Sequence, residues 1–386
     1  MKIVQLDIQG FRSLKNVSWR PGDLNVIIGP NGSGKSNLLK MLEMISAGAQ
    51  GRLSKYIQAE GGFGAILWDG QADTIRLHLD TSPAIQAFPA LTYEFTLTKV
   101  GLEGPFRFHR ELLRNTETEA GYFVRTGTMA TVYDGDKPSN LRAGSLSEDD
   151  SILPLAVDPF SDSDDVGYFQ LQLENWVIYQ DIRTDQNAPI RQAPVSRLEQ
   201  RVSPDGQNLI NVLHTLYSTD RKFKQDINDA MFAAFGADFD ELIFPPAADQ
   251  RIQMRVRWKT LKREQSTADL SDGTLRFLFL MTVLASPNPP PLIAIDEPET
   301  GLHPSMLPII AEFAVEAATR TQVIFTTHSD QFLSAFRDTR PTVTIAKWEN
   351  GETTLTTVED SELAYWVEDY SLGQLFRSGE LENLAS

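Results

Sequence analysis

The sequence predicts an α/β fold in which two distant segments form one core, interrupted by an antiparallel β lobe and a helical insert. Three observations lead to this prediction. A strand, a glycine-rich loop and a helix follow one another in residues 24–45. Two apolar strands that end in polar residues lie between about residues 270 and 330. Residues 46–269 first alternate like strands and then take helical spacing. We therefore predict a core built from residues 1–45 and 270–386, with residues 46–269 as an insertion.

The N-terminus is predicted to begin with a strand. Residues 1–8 alternate, with Val4, Leu6 and Ile8 on one face and Gln5 and Asp7 on the other. A signal peptide has a continuous apolar core instead, so we expect a cytoplasmic protein.

Residues 29–36, Gly-Pro-Asn-Gly-Ser-Gly-Lys-Ser, fit the pattern of a phosphate-binding loop. They follow an apolar strand at residues 24–28 and precede a helix with its apolar residues on one face: Leu38, Leu39, Leu42 and Ile45. Glycines let backbone N–H groups converge on phosphate oxygens, and the helix N-terminus and Lys35 add positive charge. The hydroxyl of Ser36 is suited to hold Mg²⁺. A nucleoside triphosphate is therefore the expected ligand.

The insertion is predicted to have three parts. Alternating apolar residues indicate antiparallel strands: Ile75, Leu77 and Leu79, then Tyr93, Phe95 and Leu97. Residues 145–165 are rich in Ser and Asp and contain two prolines, which predicts an exposed acidic loop. After a turn at residues 204–206, helical spacing continues to Gly236 through Leu209, Val212, Leu213, Leu216, Phe223, Ile227, Met231 and Phe235. No heptads run through this region, so no long coiled-coil arm is expected.

Residues 291–295 form an apolar strand that ends in Asp296 and Glu297, the form of a Walker B segment. Asp296 is predicted to bind Mg²⁺, and Glu297 to orient or deprotonate the attacking water. A second apolar strand, residues 322–327, ends at His328. We predict that this imidazole lies at the same sheet edge, near the γ-phosphate or the water.

Leu270-Ser271-Asp272-Gly273-Thr274 precedes an apolar helix. A small hydroxyl and a glycine at a helix N-terminus are suited to an anion, although an ordinary helix cap has the same pattern. In this architecture two chains, rather than one, bring such a helix end and a phosphate loop to one nucleotide.

Together these motifs resemble the ATP-binding-cassette (ABC) ATPases of the RecF and SMC branch. The group that they resemble most is that of short RecF-like, AAA-labelled ATPases without long coiled coils. The resemblance rests on the phosphate loop, the residues 270–274, the run 295–304 and the residues 326–329. It covers the first 45 residues and the C-terminal third, and extends weakly to residues 205–209 and 372–375.

The resemblance implies that residues 1–386 form a single ABC-type ATPase head, and that two heads sandwich two ATP molecules. It implies that Ser271 and Gly273 contact the nucleotide of the other subunit, that residues 300–303 cross the interface, and that residues 11–13 lie near base and ribose. With the motifs, it assigns catalysis to Glu297, His328 and Lys35, and magnesium binding to Ser36 and Asp296. The residues assigned to nucleotide binding are Asn31, Gly32, Ser33, Gly34, Lys35, Ser36, Asn37, Arg12, Ser271 and Gly273.

The chain departs from the family pattern at two points. Asp272 stands where the transporter-type signature has a second small residue, which puts a negative charge near phosphate. The glutamine that links ATP to the partner arm has three candidates, Gln58, Gln71 and Gln180, and the sequence does not choose between them. No nuclease-like acidic cluster follows His328, so no second catalytic domain is predicted.

The composition limits the partners. The formal net charge of −17 argues against an extensive basic surface that would bind nucleic acid. Basic residues nevertheless alternate with apolar ones at Arg251, Arg255, Arg257 and Lys259, and on a smaller scale at Arg107, His109 and Arg110. Two interpretations remain: a DNA or RNA track, or a solvated strand face paired with neighbouring acids, which we favour. The absence of cysteine excludes disulfides, thiolate zinc sites and a cysteine nucleophile.

The first functional hypothesis is an ATPase that dimerises when it binds ATP and hydrolyses the ATP slowly. Closing of the two heads would be transmitted to DNA or to an effector protein such as a nuclease. Its setting would be DNA repair or anti-phage defence. The second is a scaffold or regulatory module, stabilised by ATP, that binds a protein partner. A transporter head fits poorly because of Asp272 and the large insert. The longest apolar stretch, residues 277–285, is too short to cross a bilayer, and no membrane partner is expected.

Overall fold

The computed structural model describes residues 1–83, 88–101, 105–134, 137–141, 147–155, 165–336, 339–359, 363 and 370–381. The strands of this part are β1 (Ile3–Phe11), β2 (Leu14–Trp19), β3 (Leu24–Ile28), β4 (Thr74–Thr81), β5 (Leu91–Lys99), β6 (Phe106–Asn115), β7 (Gly121–Thr126), β8 (Met129–Asp134), β9 (Lys137–Asn140), β10 (Val177–Tyr179), β11 (Phe239–Ile243), β12 (Pro246–Ala247), β13 (Arg251–Ile252), β14 (Arg255–Trp258), β15 (Gln265–Ser266), β16 (Leu292–Asp296), β17 (Gln322–Thr327), β18 (Thr342–Glu349) and β19 (Glu352–Thr357). The helices are α1 (Lys35–Ala49), α2 (Leu53–Ala59), α3 (Phe63–Ile66), α4 (Asp165–Glu174), α5 (Leu209–Thr219), α6 (Arg221–Phe235), α7 (Asp272–Leu284), α8 (Leu307–Ala318), α9 (Asp330–Leu333) and α10 (Leu372–Ser378).

The described residues divide into two compact units. Unit 1 comprises residues 1–176 and 342–359, and unit 2 comprises residues 177–341 and the described residues after 359. Unit 1 contains the predicted phosphate loop, whereas the Walker B strand and the helix that Ser271 opens belong to unit 2. The division into a core of residues 1–45 and 270–386 and an insertion of residues 46–269 stays a prediction.

An antiparallel lobe dominates unit 1. In its described part eight strands pair in the order β2-β1-β4-β5-β6-β7-β8-β9, each antiparallel to its neighbours. The predicted faces of β4 and β5 are confirmed, because these apolar side chains are buried: Ile75, Leu77, Leu79, Tyr93, Phe95 and Leu97.

One face of the first strand differs from the prediction. Leu6 and Ile8 are buried as expected, but Val4 is 49% exposed and Ile3 is buried in its place. The register between β1 and β4 shifts between Ile3 and Gln5, and such a bulge moves the following side chains to the opposite face. The alternation of apolar and polar residues in β1 does not reveal this bulge, because the bulge arises from pairing with β4.

A second sheet segment in unit 1 carries the strand that precedes the phosphate loop. Strand β3 pairs in parallel with β18, which pairs antiparallel with β19. All five residues of β3 are buried, and α1 buries the predicted stripe of Leu38, Leu39, Leu42 and Ile45. The predicted strand and helix around the loop are therefore confirmed.

The acidic segment 145–165 is partly fixed against unit 1. Residues 145, 146 and 156–164 of this prediction lie outside the described residues. The prediction of an exposed loop is wrong for Ser151, Ile152 and Leu153, which are buried. The reason is a buried carboxylate in the lobe: the backbone N–H of Ile152 donates to Glu111 Oε2 at 3.0 Å, and the Ser151 hydroxyl donates to its Oε1.

Glu111 forms part of a buried ionic cluster with Arg125. Neither side chain is exposed, and Arg125 Nη1 lies 3.7 Å from Glu111 Oε2. Arg125 also donates to three backbone carbonyls, those of Gly127 at 2.8 Å, Asp150 at 2.6 Å and Ser147 at 2.5 Å. Burial raises the pKa of Glu111 and lowers that of Arg125. Each charge therefore depends on its hydrogen bonds to remain tolerable in the interior.

We expect Arg125→Met to lower the free energy of unfolding by about 3–5 kcal/mol, because it leaves a buried carboxylate and several carbonyls without their donor. Urea unfolding followed by fluorescence measures this loss. The matched control is Arg107→Met, at an exposed position of β6, which should stay within about 0.5 kcal/mol of wild type. An Arg125→Met protein as stable as this control would contradict the prediction.

Unit 2 is built around three parallel strands and a buried helix. Strand β16 pairs in parallel with β10 on one side and with β17 on the other. Helix α7 buries nearly all its side chains and packs against α5, α6 and α8. The predicted helices after residue 206 are confirmed as α5 and α6, and α6 ends at Gly236, whose φ of 78° stops the helix.

Candidate functional site

The phosphate-binding pattern in unit 1 folds as a closed loop around Lys35. The Lys35 ammonium donates to the carbonyl oxygens of Gly29 at 2.7 Å and Pro30 at 3.1 Å, and the residue is 5% exposed. Gly32 and Gly34 have φ values of +81° and +96°, a region that residues with a Cβ rarely adopt. The loop is thus preformed, with its one cation turned inward onto backbone oxygens.

Residues that are distant in the sequence contact this loop and fix its conformation. A Cβ on Gly34 would lie 2.0 Å from the Thr353 hydroxyl, so this position has room for glycine alone. Thr353 Oγ1 donates to the Ser33 carbonyl at 2.9 Å and lies 2.7 Å from Ser13 Oγ, which accepts from Asn37 Nδ2 at 2.7 Å. Sequence reasoning missed Thr353, because 320 residues separate it from the loop and no motif surrounds it.

Arg12 is held beside helix α1. Its guanidinium pairs with Glu60, whose Oε2 also accepts from Lys40 at 2.6 Å, and its backbone N–H donates to the Ile66 carbonyl at 2.8 Å. The φ of Arg12 is +48°, so the backbone here is strained. Glu60 is a second residue that the sequence did not single out.

The parallel pairing of β16 and β17 brings Asp296, Glu297 and His328 together in unit 2. Glu297 Oε1 lies 2.9 Å from His328 Nδ1, and the Thr326 hydroxyl donates to Asp296 Oδ1. The backbone N–H of Glu297 donates to the Thr326 carbonyl at 3.0 Å. Glu297 has a φ of +45°, which is uncommon outside glycine and is typical of backbone strain at functional sites.

A second carboxyl group, Glu299, lies two residues further on. Its Oε1 accepts a hydrogen bond from the Thr327 hydroxyl, whereas its buried Oε2 has no hydrogen-bond partner among the described residues. Burial raises the pKa of Glu299 above its ordinary value of 4.5. The protonated form is therefore favoured more in the folded than in the unfolded protein.

We expect Glu299→Gln to stabilise the protein increasingly as the pH rises. A carboxyl whose folded pKa is raised contributes its full stability below the unfolded pKa and loses it as the pH rises through the folded pKa. The amide of the variant cannot ionise. The melting temperature of the Glu299→Gln protein, measured from pH 5 to 9, should therefore exceed that of wild type most at the alkaline end. The exposed Glu312→Gln serves as the control. A difference between Glu299→Gln and wild type that stays constant with pH would refute this account.

The structure distinguishes between the three candidate glutamines. Gln180 directly follows β10, one residue beyond the pair Tyr179–Ile295, just as Asp296 ends the neighbouring strand. Its Nε2 is buried and has no hydrogen-bond partner among the described residues. Gln58 and Gln71 are exposed and belong to unit 1. Strand register therefore favours Gln180.

Ser271 caps helix α7, as predicted, with its hydroxyl accepting from the Thr274 N–H at 3.0 Å. Gly273 lies against the segment 300–303, because a Cβ there would lie 2.8 Å from the Gly301 carbonyl oxygen. Ser271, Thr300 and Gly301 are exposed. The two segments that the family resemblance assigned to a dimer interface thus lie together in one unit.

The basic strand is interrupted, which corrects the prediction of one continuous strand. Arg251 belongs to β13, which pairs with β12, whereas Arg255 and Arg257 belong to β14, which pairs with β11 and β15. Arg257 pairs with Glu241 and, at 2.9 Å, with Glu264. Arg255 also lies 3.7 Å from Glu264, so the interpretation as a face paired with neighbouring acids is confirmed for Arg255 and Arg257. Arg251 and Lys259 donate to backbone carbonyls instead.

In the part of the chain that the structure describes, no helix is long and apolar enough to cross a membrane. The same residues contain no group of three His, Asp or Glu that is arranged to hold a metal ion.

Comparison with known proteins gives three kinds of similarity. A family model described as "AAA domain, putative AbiEii toxin, Type IV TA system" matches residues 24–334. Over 64 residues, 16% of the chain, the sequence is 42% identical to the DNA replication and repair protein RecF of Marinomonas sp. (strain MWYL1). The chain covers 17% of the length of that relative.

Solved structures of SMC heads are similar over nearly the whole chain. One is an SMC head bound to the C-winged helix domain of ScpA, with a TM-score of 0.58, 16% identity, and coverage of 94% of this chain and all of the other. Another is an SMC head with an extended coiled coil, bound to the C-terminal domain of ScpA derived from Pyrococcus furiosus. It has a TM-score of 0.54 and 14% identity, and the similarity covers 95% of this chain and 98% of the other.

Proposed function

The chain belongs to the AAA domain family described as putative AbiEii toxin, Type IV TA system, on the RecF and SMC branch of the ABC-type ATPases, and from this premise we propose that it binds and hydrolyses ATP. Its fold is α/β, that of an ABC-type ATPase head with an antiparallel β lobe. One observation carries the proposal. At the end of a buried parallel strand, Glu297 follows Asp296 with a strained backbone, and its carboxylate is bonded to His328.

We assign Glu297 as the base. Its carboxylate would accept a proton from a water molecule as that water attacks the γ-phosphorus and ADP leaves. His328 would orient the carboxylate through Nδ1, in the tautomer that donates from this nitrogen. The strained φ of Glu297 supports this role, because a backbone held in an unfavourable conformation fixes the direction of the side chain.

The preformed loop in unit 1 would bind the phosphates. Lys35 would exchange its carbonyl partners for phosphate oxygens, and the backbone around Gly32 and Gly34 would supply N–H donors. Mg²⁺, held by Ser36 and Asp296, would neutralise charge on the phosphate oxygens. We assign Gln180 to the glutamine role that the sequence left open, since it follows the strand beside Asp296.

We propose that two copies of the chain pair when ATP is bound. Ser271 and Gly273 would contact the nucleotide held by the other copy, and the segment 300–303 would lie at the same interface. Their exposure and the close approach of Gly273 to Gly301 support this arrangement.

We propose that head closure acts on an effector protein or on DNA. The setting would be DNA repair or anti-phage defence, within the cytoplasm. The SMC heads that the chain resembles are bound to domains of ScpA, which supports a protein partner. The pairing of Arg257 with two glutamates also supports a protein rather than DNA at this surface. The second candidate, an ATP-stabilised scaffold, gains support from the same charge pairing and from the net charge of −17.

The direct test measures phosphate release and molar mass. Purified protein with Mg²⁺ and ATP should release phosphate, and analytical ultracentrifugation should detect a dimer with ATP that is absent with ADP. A purified protein that releases no phosphate and has no affinity for ATP would overturn the proposal. ATP-dependent pairing without turnover would favour the scaffold instead.

A further inference from the structure

Arg191 is a buried arginine that converges on the segment preceding helix α7. Its side chain is 7% exposed. Nε donates to the Thr184 carbonyl at 2.7 Å, and Nη1 donates to the carbonyls of Leu270 at 2.7 Å and Thr267 at 3.0 Å. Nη2 donates to Asp272 Oδ1 at 2.5 Å. One guanidinium therefore uses at least four of its five N–H donors on the chain around the helix start.

The contact with Asp272 resolves the departure noted in the sequence. Asp272 is the first residue of α7, and its side chain is 67% exposed. An uncompensated carboxylate here would repel a phosphate approaching the helix N-terminus. Arg191 supplies the opposite charge from the buried side of the segment, so it neutralises Asp272 without occupying the exposed surface. The pair lies 81 residues apart, and no spacing in the sequence links the two.

The carbonyl contacts give Arg191 a second effect. Leu270 directly precedes Ser271, and Thr267 also donates its hydroxyl back to the Arg191 carbonyl at 2.9 Å. These bonds fix the backbone on which Ser271 and Gly273 stand. A lysine keeps the charge but cannot reproduce this planar fork of donors.

We propose that Arg191 is a positioning residue for the Leu270–Thr274 segment: it neutralises Asp272 and fixes the backbone, so that the start of α7 accepts a phosphate group of the nucleotide held by a second copy of this chain. The inference rests on the proposed ATP-dependent pairing. It predicts a function for Asp272 and Arg191 as a pair, in place of the second small residue of the transporter-type signature.

The test compares Arg191→Met, Asp272→Asn and the double variant in the full chain. Two quantities are measured: the dimer dissociation constant with ATP, by analytical ultracentrifugation, and the affinity of dilute monomer for a fluorescent ATP analogue. We expect Arg191→Met to weaken dimerisation by about tenfold or more, because it exposes the negative charge of Asp272 to phosphate. Monomer affinity for the nucleotide should stay within about twofold, since the start of α7 is proposed to contact the nucleotide held by the other copy.

Rescue distinguishes this role from a purely structural one. Adding Asp272→Asn to Arg191→Met removes the uncompensated charge and should recover the part of the lost dimerisation that is due to this charge, about threefold or more, whereas a general loss of packing would allow no recovery. Dimerisation of Arg191→Met equal to wild type, or a double variant no better than Arg191→Met, would overturn the proposal. If Arg191→Met does not fold, Arg191→Lys carries the test: loss of the donor fork should weaken dimerisation by about threefold or more while monomer affinity for the nucleotide is kept, and a smaller loss of dimerisation overturns the proposal. A wild-type protein that binds no ATP instead refutes the proposed function itself, whereas normal ATP binding and pairing with unaffected variants refutes this inference alone.

Discussion

Replacing Glu297 by Gln is expected to abolish ATP turnover while ATP remains bound and the dimer persists. The amide keeps the shape of the side chain and its contact with His328 but cannot take the proton of the attacking water. We expect phosphate release to fall by about 10²–10⁴-fold, the usual contribution of a positioned general base. Because hydrolysis no longer separates the two copies, the dimer should outlive that of wild type. Phosphate release and the mass of the protein after addition of ATP measure the two effects.

The control for this variant is Glu312→Gln, which makes the same chemical change at an exposed position of α8. It should hydrolyse ATP at the wild-type rate. Turnover by Glu297→Gln that matches this control would remove Glu297 from the reaction. The same variant separates the two functional hypotheses: loss of biological output in a trapped dimer indicates that the cycle matters, whereas unchanged output favours the scaffold.

Lys35→Ala is expected to remove most of the ATP affinity. The loop is closed around this ammonium by the Gly29 and Pro30 carbonyls, so the substitution removes both the cation for the phosphates and the bonds that hold the loop in shape. Loss of one partner of a buried, hydrogen-bonded charge pair, here Lys35 and a phosphate group, costs about 2–5 kcal/mol. This corresponds to a dissociation constant for ATP that is roughly 30-fold to several-thousand-fold larger. Titration with a fluorescent ATP analogue measures it.

Lys55→Ala is the matched control, since this lysine is exposed on α2 in the same unit. Its affinity for ATP should equal that of wild type. Undiminished affinity in Lys35→Ala would refute the assignment of the phosphate loop, whatever the result for Glu297. The two variants thus test binding and chemistry separately.

Much of the fold followed from local patterns. The buried strand at residues 24–28 and the stripe of α1 were predicted because each depends on the spacing of apolar residues within one element. Ser271 was predicted as a cap for the same reason. Val4 was placed on the wrong face, because the bulge between Ile3 and Gln5 arises from pairing with β4 rather than from the strand itself.

The candidate site was predictable to the same extent. Lys35, Asp296, Glu297 and His328 stand in motifs whose chemistry is legible in a few consecutive residues. The contact between Glu297 and His328 required the parallel register of β16 and β17, and the preference for Gln180 required the register of β10 and β16. Glu299 gave no signal, because its raised pKa comes from burial.

The sequence by itself determined the family and the residue types suited to phosphate, metal and water, because these depend on short runs with fixed spacing. The tertiary structure decided which distant residues support them. Thr353 lies 320 residues from the Ser33 carbonyl that it binds, and Arg191 lies 81 residues from Asp272. Contacts of this kind follow from strand register and packing, which bring together residues that no local pattern connects.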